Sequence, residues 1–564
     1  MAALPRIGIP LCGTFAGLPD TSRRALFISV AAGLAAGASS AGLLTFVNNI
    51  LSAGIRAEPA SAAAFFGLCI LMLAAGILSE VLVLRLTQNI LYDVRMWLSR
   101  RILSVPLQQL QALGPHRLMA TLTDDIGNIA HAYHVLPVLF IEGSIALGGM
   151  IYIAWLSRIL FVILLIFLVL GLTLFFAAQR SSLRFLQRAR EADDALFGHF
   201  RALTEGGKEL KMNARRRGAF LNDELSVTAD KIRRSFNTGL TIYVFGAHGS
   251  KLLFFLAIGT VLFVPALAQG TAEDAARGWV LSILFIMGPI ETIVNTFPAL
   301  GQGSVALRKI EALALMMTEE KLIEKDCAIP VVLQQPGVLE LAGVSHRYPT
   351  DKGEPEFMLG PLDLRIDPGE LIFVTGGNGS GKTTFAFLLL GLFKPEKGEI
   401  ILDGKPIRGA GRDAYRQNFA AVFADAFVFD SLLGYDGGAA AEQASRLLAE
   451  LHLDHKLSIK DGRFSTIDLS RGQRKRLALL AAFIEDRPFY LFDEWAAEQD
   501  PAFREIFYMQ FLPQLKARGK TVVVITHDDR YFHLAGRVLH LDAGRIEETG
   551  AQKSRGKLLK AQTG

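Results

Sequence analysis

The sequence predicts an α-helical membrane domain with six spans, followed by an α/β domain built around a phosphate-binding loop. The 564-residue chain is 51% hydrophobic, and its mean hydropathy of +0.34 is high for a soluble protein. The long apolar runs are concentrated in the N-terminal part of the chain. The later part contains a glycine-rich loop, 376–383, between a strand-like run and a helix-like run. A chain of this length can form several domains.

Six apolar runs of about 20 residues are each long enough to cross a bilayer as an α-helix. The alternative, a set of buried helices in a soluble protein, would require six such runs with few charges in one chain. We therefore predict six membrane spans. Their approximate bounds are Ala25–Val47, Ala64–Leu84, Leu136–Trp155, Ile159–Ala178, Thr241–Val264 and Trp279–Leu300.

The distribution of basic residues predicts the orientation of these spans. Arg23 and Arg24 precede the first span, and the long segments after spans 2 and 4 are rich in arginine and lysine. The opposite loops are short, and their main basic residues are Arg56, Arg158 and Arg277. The positive-inside rule therefore places both termini and the second domain in the cytoplasm. The net charge of +5 mostly reflects these loops, so it indicates a lipid bilayer and no nucleic acid as partner.

The two long inner segments have a mostly helical pattern, so they are expected to extend the membrane helices into the cytoplasm and contact the second domain. The alternative for the individual arginines is contact with lipid headgroups, and the sequence leaves both interpretations open. Gly114–Arg117 and Arg215–Gly218 interrupt that pattern and are predicted to mark turns. The N-terminal apolar run is too long for a cleaved signal and is followed by five more spans. The three cysteines show no metal-binding or disulfide spacing.

Ionisable residues inside membrane spans are costly and usually face protein or water. Glu142 in span 3, Lys251 in span 5 and Glu291 in span 6 are such residues. They are candidates for lining a polar substrate cavity. The alternative is structural pairing, in which Lys251 neutralises Glu142 or Glu291, and the sequence leaves both interpretations open.

The loop at 376–383 fits G-x-x-x-x-G-K-[ST], the phosphate-binding P-loop. Its glycines allow backbone N–H groups to turn toward phosphates, and the following helix N-terminus favours an anion. Lys382 is predicted to reach the β- and γ-phosphates of ATP, and the Thr383 hydroxyl to bind Mg²⁺. The predicted ATP-binding residues here are Gly376, Gly377, Asn378, Gly379, Ser380, Gly381, Lys382, Thr383 and Thr384.

Two carboxylates follow an apolar run farther along the chain, F-Y-L-F-D-E at 489–494. A buried strand can present an acid to a metal ion only at its exposed carboxyl end. Asp493 therefore fits a Mg²⁺ ligand. Glu494 is positioned to orient or deprotonate the attacking water. The combination with a preceding P-loop makes this otherwise weak pattern specific.

Three further sequence features accompany the P-loop and the paired carboxylates: an L-S-x-G-Q motif, Asp500 and His527. An L-S-x-G-Q sequence opens a helix, and Ser470 with the Gly472 backbone can present a second anion site at its N-terminus. Asp500 follows Glu494, and His527 ends a β-branched run. A lone histidine at a strand end is usually structural, but its place in this series favours a functional role.

These motifs resemble the ATP-binding cassette (ABC) family. The resemblance implies that 376–383 is the Walker A motif, Asp493 and Glu494 the Walker B acid and catalytic glutamate, and His527 the switch histidine. Asp500 then corresponds to the D-loop acid. Tyr348 lies where the family stacks an aromatic ring on adenine. The implied signature motif is Leu469, Ser470, Arg471, Gly472 and Gln473.

One position departs from the family pattern. Members usually have a Gln that contacts Mg²⁺ and couples to the membrane domain, and Ala424 takes that place here. Alanine cannot bind a metal, so Asp425 is the nearest substitute candidate. The departure affects the metal shell and the coupling route but leaves the ATP-binding motifs intact.

A membrane domain fused ahead of one cassette resembles an ABC exporter half-transporter with a type I exporter-like fold. The resemblance implies a homodimer, joined through the membrane and ATPase domains, in which each ATP lies between one P-loop and the other chain's signature. The expected organisation is an N-terminal cytoplasmic segment (1–22), a transmembrane domain (23–317), a linker (318–336) and an ABC ATP-binding domain (337–564).

Three local sequences resemble those of bacterial exporters of cyclic peptides, which include exporters of siderophore precursors, syringomycin-type lipopeptides and lasso microcins. They are D-E-W-A-A-E-Q-D-P at 493–501, A-V-F-A-D at 421–425 and G-K-E-L-K at 207–211. The implied function is ATP-driven export of a peptide-like or siderophore substrate across the bacterial inner membrane, with ATP and Mg²⁺ as cofactors. Export of drugs or lipids is an alternative. A membrane-tethered regulatory ATPase that transports nothing is an alternative of a different class.

Overall fold

The computed structural model describes residues 20–53, 59–263, 273–317, 332–347, 357–409, 411–435 and 437–549. Contacts divide the described residues into two units. The membrane unit comprises those of 1–96 and 120–312. The nucleotide-binding unit comprises those of 97–119 and 313–564. Tyr348 and most of the expected linker, 318–336, lie outside the described residues.

The membrane unit confirms the six predicted spans, because six helices are long and apolar enough to cross a bilayer. Several of these helices continue well beyond the predicted apolar runs. Its α-helices include Asp20–Ala53, Pro59–Ser104, Ile126–His134, Leu136–Leu156, Arg158–Glu205, Ser226–Phe263 and Glu273–Met316. The cluster Ile153, Leu160, Ala257 and Trp279 is fully buried within this unit, and the Trp279 indole N–H donates to the Leu160 carbonyl at 3.2 Å.

One of the two predicted cytoplasmic turns is confirmed, and the position of the other was wrong. Helix Leu107–Leu113 ends at Gly114 with φ +76°, and a new helix begins at Pro115. By contrast, Arg215–Gly218 lies inside helix Ala214–Ala219. The chain turns instead at Asn213, whose side chain caps that helix by accepting from the Arg216 N–H at 3.0 Å. Arginines are good helix formers, so the basic run does not interrupt the helix.

The segment 97–119 packs within the nucleotide-binding unit. Leu107 packs against the core beneath its sheets. A guanidinium N–H of Arg101 donates to the carbonyl oxygens of Ala314 and Met317, at 2.8 and 3.2 Å. The sequence prediction that an inner segment contacts the ATPase domain is therefore confirmed for this one.

The nucleotide-binding unit contains twelve described strands in three sheets. The six-stranded sheet has the order β12-β11-β3-β10-β9-β6, the four-stranded sheet β2-β1-β4-β5, and β7 pairs with β8. The strands are β1 Leu339–Arg347, β2 Met358–Ile366, β3 Leu371–Gly376, β4 Lys397–Leu402, β5 Lys405–Pro406, β6 Phe419–Val422, β7 Ile459–Lys460, β8 Arg463–Phe464, β9 Phe489–Asp493, β10 Thr521–Ile525, β11 Arg537–Asp542 and β12 Arg545–Thr549.

Both faces of the central parallel strands are buried, which explains their continuous apolar sequences. In β3, Phe373 packs into one core cluster, and its neighbours Ile372 and Val374 pack into the other. Successive side chains point to opposite faces of a strand, so a run without polar residues fills both cores. The parallel register of β3, β9 and β10 brings their carboxyl ends to one edge.

The helices of this unit connect and cover the sheets. The P-loop helix is Lys382–Leu389, and the signature helix is Arg471–Glu485. The remaining described α-helices of at least six residues beyond 332 are Gly411–Arg416, Gly438–Glu450, Pro501–Ile506 and Leu512–Ala517. The P-loop and signature helices begin within their motifs, at Lys382 and Arg471, a few residues before the helix-like sequence that follows each motif.

Candidate ATP-binding and hydrolytic site

The P-loop adopts the predicted strand–loop–helix arrangement. Strand β3 ends at Gly376, and the P-loop helix begins at Lys382. Gly379 and Gly381 have φ of +77° and +100°, a region that other residues enter only at a cost in conformational energy. The glycines are therefore required by the backbone path of the loop.

The polar side chains of this loop fit an anion site. The Lys382 ammonium donates to the carbonyl oxygens of Gly376 and Gly377 at 3.1 and 3.0 Å, so it lies across the loop. The Ser380 hydroxyl is buried and has no hydrogen-bond partner in the described part of the chain. Thr383 is exposed, whereas Thr384 is buried. An unpartnered hydroxyl beside a lysine and a helix N-terminus matches what a phosphate requires.

Strand β9 presents the two predicted carboxylates at its carboxyl end. Asp493 is its last residue and is 2% exposed. Glu494 follows in the left-handed conformation, with φ +47° and ψ +35°. Its backbone N–H donates to the Ile525 carbonyl at 3.0 Å, which ties it to the end of β10.

The side chains of Glu494, His527 and Lys382 converge. A Glu494 carboxylate oxygen lies 3.2 Å from Nε2 of His527 and 3.9 Å from Nζ of Lys382. The histidine follows β10, so the parallel register brings it to the same edge as β9. The structure therefore brings three predicted site residues together from three separate motifs.

Burial raises the pKa of Asp493 to about 6, and the neighbouring Glu494 charge acts in the same direction. The ammonium groups of Lys382 and Lys475 oppose the rise, and the Asp425 carboxylate adds to it. A carboxyl group surrounded by these opposing charges is a candidate functional group. A bound divalent cation would favour its ionised form.

The predicted metal substitute Asp425 is exposed and interacts electrostatically with Asp493. It lines a depression together with Arg471, Arg474 and Glu498. The structure therefore places Asp425 at the periphery of the site, beside the start of the signature helix.

The signature residues form a helix N-terminus with reciprocal caps. The Ser470 hydroxyl accepts from the Gln473 backbone N–H at 3.3 Å, and the Gln473 side-chain oxygen accepts from the Ser470 N–H at 3.1 Å. Leu469 packs against the core. Gln473 therefore has a structural role as a capping-box residue, which the S-x-x-Q spacing could have predicted.

Asp500 also caps a helix. Its carboxylate accepts from the Phe503 backbone N–H at 2.9 Å and pairs with Arg476 of the signature helix. The hydrogen bond from Phe503 is the main reason that the pKa of Asp500 lies below its usual range. The adjacent Gln499 amide donates to the Gly472 carbonyl at 3.0 Å. The segment after Glu494 is thus connected to the signature loop within one chain.

Sequence reasoning missed Lys475 at the centre of this region, and it noted Trp495 without assigning it a structural role. Lys475 is 4% exposed, and its ammonium donates to the Glu494 carbonyl at 3.0 Å. The Trp495 indole N–H donates to the Lys475 carbonyl at 2.8 Å. A lysine among arginines in a helix reads as a solvated face, so only the unusual tryptophan after Glu494 carried a signal.

In the membrane unit, one of the two proposed ion pairs is present. Lys251 Nζ lies 2.8 Å from a Glu291 carboxylate oxygen, and both line a pocket between spans 4, 5 and 6. Glu142 makes no side-chain hydrogen bond or ion pair with the residues that the structure describes. The pairing interpretation therefore applies to Lys251 and Glu291.

Comparison with known proteins identifies the class. The sequence profile described as "ABC transporter" matches residues 359–497, and that of the "ABC transporter transmembrane region" matches 25–264. The chain belongs to the ABC transporter family, as an exporter half-transporter that binds ATP and couples its hydrolysis to transport. It is a multi-pass membrane protein.

Its relatives include the ATP-binding protein SyrD of Pseudomonas syringae pv. syringae. The two are 34% identical over 468 residues, which cover 82% of this chain and 83% of that protein. The ATP-dependent lipid A-core flippase of Bordetella avium (strain 197N) is 27% identical over 517 residues, covering 86% and 83%. A solved bacterial Atm1-family ABC exporter with ATP bound shares the fold, with TM-score 0.72, 17% identity and coverage of 96% and 98%.

Proposed function

We propose that this protein exports a peptide-like substrate, such as a cyclic or non-ribosomal peptide or a siderophore precursor, across the bacterial inner membrane as a homodimer. The observation that carries the proposal is that one chain joins six spans to a cassette with an intact P-loop, paired carboxylates and signature. The cargo assignment is supported by the sequences around Trp495 and at Ala424–Asp425, which resemble those of cyclic-peptide exporters. Similarity to the ATP-binding protein SyrD over most of both chains is consistent with one common organisation of membrane domain and cassette.

The geometry supports a distinct role for each residue at the carboxyl edge of the sheet. Lys382 and the P-loop N–H groups bind the phosphates, and Asp493 with Thr383 would hold Mg²⁺. The chemistry that Mg²⁺ would supply at these residues is neutralisation of the negative charge that develops during phosphoryl transfer. Glu494 positions or deprotonates the attacking water, and His527 orients the Glu494 carboxylate through the 3.2 Å contact.

The homodimer is supported by the presence of both half-sites on one chain: the P-loop precedes the helix Lys382–Leu389, and the signature residues cap the helix Arg471–Glu485. Two copies can therefore form two equivalent sites, each with one P-loop and the other chain's signature. Mixing chains with Lys382→Ala and chains with Ser470→Arg should restore one complete site for nucleotide binding, whereas either variant alone should have none. ATP hydrolysis that is independent of protein concentration down to the monomer would contradict the proposal.

A cavity in the membrane unit, lined by both apolar and polar side chains, supports an amphipathic peptide-like cargo. It is lined by side chains of spans 3 to 6, among them Gln179, Gln187, Arg190 and Gln302. These groups can hydrogen-bond to peptide amides and carboxylates. Similarity to lipid A-core flippases favours a lipid as the second candidate cargo.

The substrate class can be tested by stimulation of ATP hydrolysis in proteoliposomes. The probes are a cyclic lipopeptide, a siderophore-precursor peptide, lipid A-core and a hydrophobic cationic drug. We expect a peptide to stimulate hydrolysis and Arg190→Gln to weaken that stimulation, while Arg184→Gln, on the same helix but outside the cavity lining, leaves it unchanged. Stimulation by lipid alone would support the flippase alternative. Hydrolysis that no probe stimulates, without movement of any of them, would favour a regulatory ATPase.

A further inference from the structure

Lys475 is a buried lysine for which the conventional site roles give no function. It lies on the first turns of the signature helix, and only 4% of its surface is exposed. A buried ammonium group is costly unless it is paired and hydrogen-bonded. Its Nζ donates to the Glu494 carbonyl oxygen at 3.0 Å and lies 3.6 Å from a Glu498 carboxylate oxygen. Both contacts are on the segment that follows β9.

The hydrogen bond from Lys475 acts on a residue in an unusual backbone conformation. Glu494 has φ +47°, a conformation that a non-glycine residue keeps only when its surroundings maintain it. The backbone N–H of Glu494 donates to Ile525, and its carbonyl accepts from Lys475 at 3.0 Å and from the Ala497 backbone N–H at the longer distance of 3.4 Å. The N–H of Glu494 is therefore held by β10, and the shorter hydrogen bond to its carbonyl comes from the signature helix.

Lys475 is itself held in place by the residue after Glu494. The Trp495 indole N–H donates to the Lys475 carbonyl at 2.8 Å. Trp495 is 1% exposed and stacks on Phe507 with ring centroids 4.3 Å apart. Lys475 is thus joined to 494–495 by two hydrogen bonds. Its ammonium donates to the Glu494 carbonyl, and its backbone carbonyl accepts from the buried Trp495 indole.

We propose that Lys475 is a positioning residue that holds the Glu494 backbone in the conformation that directs its carboxylate toward His527 and Lys382. The proposal rests on the assignment of Glu494 as the hydrolytic residue. Lys475 acts through Glu494, so its loss should lower turnover more than nucleotide binding. A smaller loss of MgATP binding is expected as well, because the Lys475 charge favours the ionised form of Asp493. The hydrogen bond from Lys475 to the Glu494 carbonyl connects the hydrolytic glutamate directly to the signature helix.

The test replaces Lys475 with methionine, which keeps the apolar stem and removes the ammonium donor. The matched control is Lys516→Met, because Lys516 is an exposed lysine on the helix Leu512–Ala517 and is not one of the site residues. We expect Lys475→Met to lower kcat of ATP hydrolysis about 10- to 100-fold, as expected for loss of one charge-assisted hydrogen bond. The KM for ATP should change by less than about threefold, and Lys516→Met should retain wild-type kcat.

A double variant separates positioning from a general structural role. If Lys475 acts through Glu494, adding Lys475→Met to Glu494→Gln should lower the residual single-turnover rate by less than about twofold. A further loss of about tenfold or more would overturn the proposal, as would an equal loss of ATP binding. Trp495→Phe, which keeps the aromatic packing but removes the indole donor, should lower kcat by a smaller factor at unchanged KM.

The two assignments fail in different ways. Near-wild-type turnover in Glu494→Gln would reject the hydrolytic assignment itself. Loss of turnover in Glu494→Gln together with unchanged kcat in Lys475→Met would reject only the positioning role of Lys475.

Discussion

Replacing Glu494 with glutamine removes one negative charge while preserving the size and shape of the side chain. The carboxylate lies 3.2 Å from His527 and 3.9 Å from Lys382, so the amide oxygen can keep both contacts. What is lost is the ability to deprotonate or strongly orient water. General-base catalysis is worth about 10²- to 10⁴-fold, which corresponds to about 3 to 5 kcal/mol of transition-state stabilisation.

Nucleotide binding should not suffer in this variant. The charge of Glu494 is one of the causes that raise the pKa of Asp493, so its removal favours the ionised form of Asp493. We therefore expect Glu494→Gln to bind MgATP at least as tightly as the wild type, while phosphate release falls by about two to four orders of magnitude.

The assay combines phosphate release with equilibrium binding of a fluorescent ATP analogue in detergent-solubilised protein. Asp493→Asn is the matched comparison, because it changes the neighbouring carboxylate in the same manner but should weaken MgATP binding as well. Turnover of Glu494→Gln within about threefold of the wild type would refute the reasoning.

Three other predictions concern protonation, the membrane ion pair and the loop carboxylate. Burial raises the pKa of Asp493 from 3.8 to about 6, so the folded state binds the proton that the unfolded state releases in this interval. In metal-free buffer the free energy of unfolding should therefore fall as pH rises from 3.8 to about 6, and Asp493→Asn should flatten that slope in denaturant titrations. Lys251→Met and Glu291→Gln should each lower the melting temperature in detergent, and the double variant should recover much of the loss; additive losses would show that the 2.8 Å pair is not coupled. Asp425→Ala should lower substrate-stimulated ATP hydrolysis more than basal hydrolysis, and an unchanged stimulation ratio would leave Asp425 without a coupling role.

The spans and the strand ends were predictable from the sequence because each depends on a local pattern. Continuous apolar runs specify the helices of the membrane unit and the buried strands alike, and glycines specify the P-loop. The sequence identified Asp493 and His527 as residues at strand ends, but the parallel register that brings these ends to the edge beside Lys382 came from the structure.

The contacts of Lys475 were not predictable in this way. They depend on how the signature helix packs against the end of β9, which no short-range pattern encodes. The turn at Asn213 was missed for a related reason, because a side-chain cap determined the helix start and the more conspicuous arginine run did not. Pairing of Lys251 with Glu291 and not with Glu142 likewise depends on which span faces which.

ATP-dependent transport of a peptide into proteoliposomes is the measurement that tests the central claim most directly. Inside-out proteoliposomes with the wild-type protein should accumulate a radiolabelled cyclic peptide in the presence of MgATP. They should not do so with ADP or when Glu494→Gln replaces the wild type. Accumulation that persists in Glu494→Gln, or wild-type hydrolysis of ATP without accumulation of any peptide, would contradict the account of this protein as an ATP-driven peptide exporter.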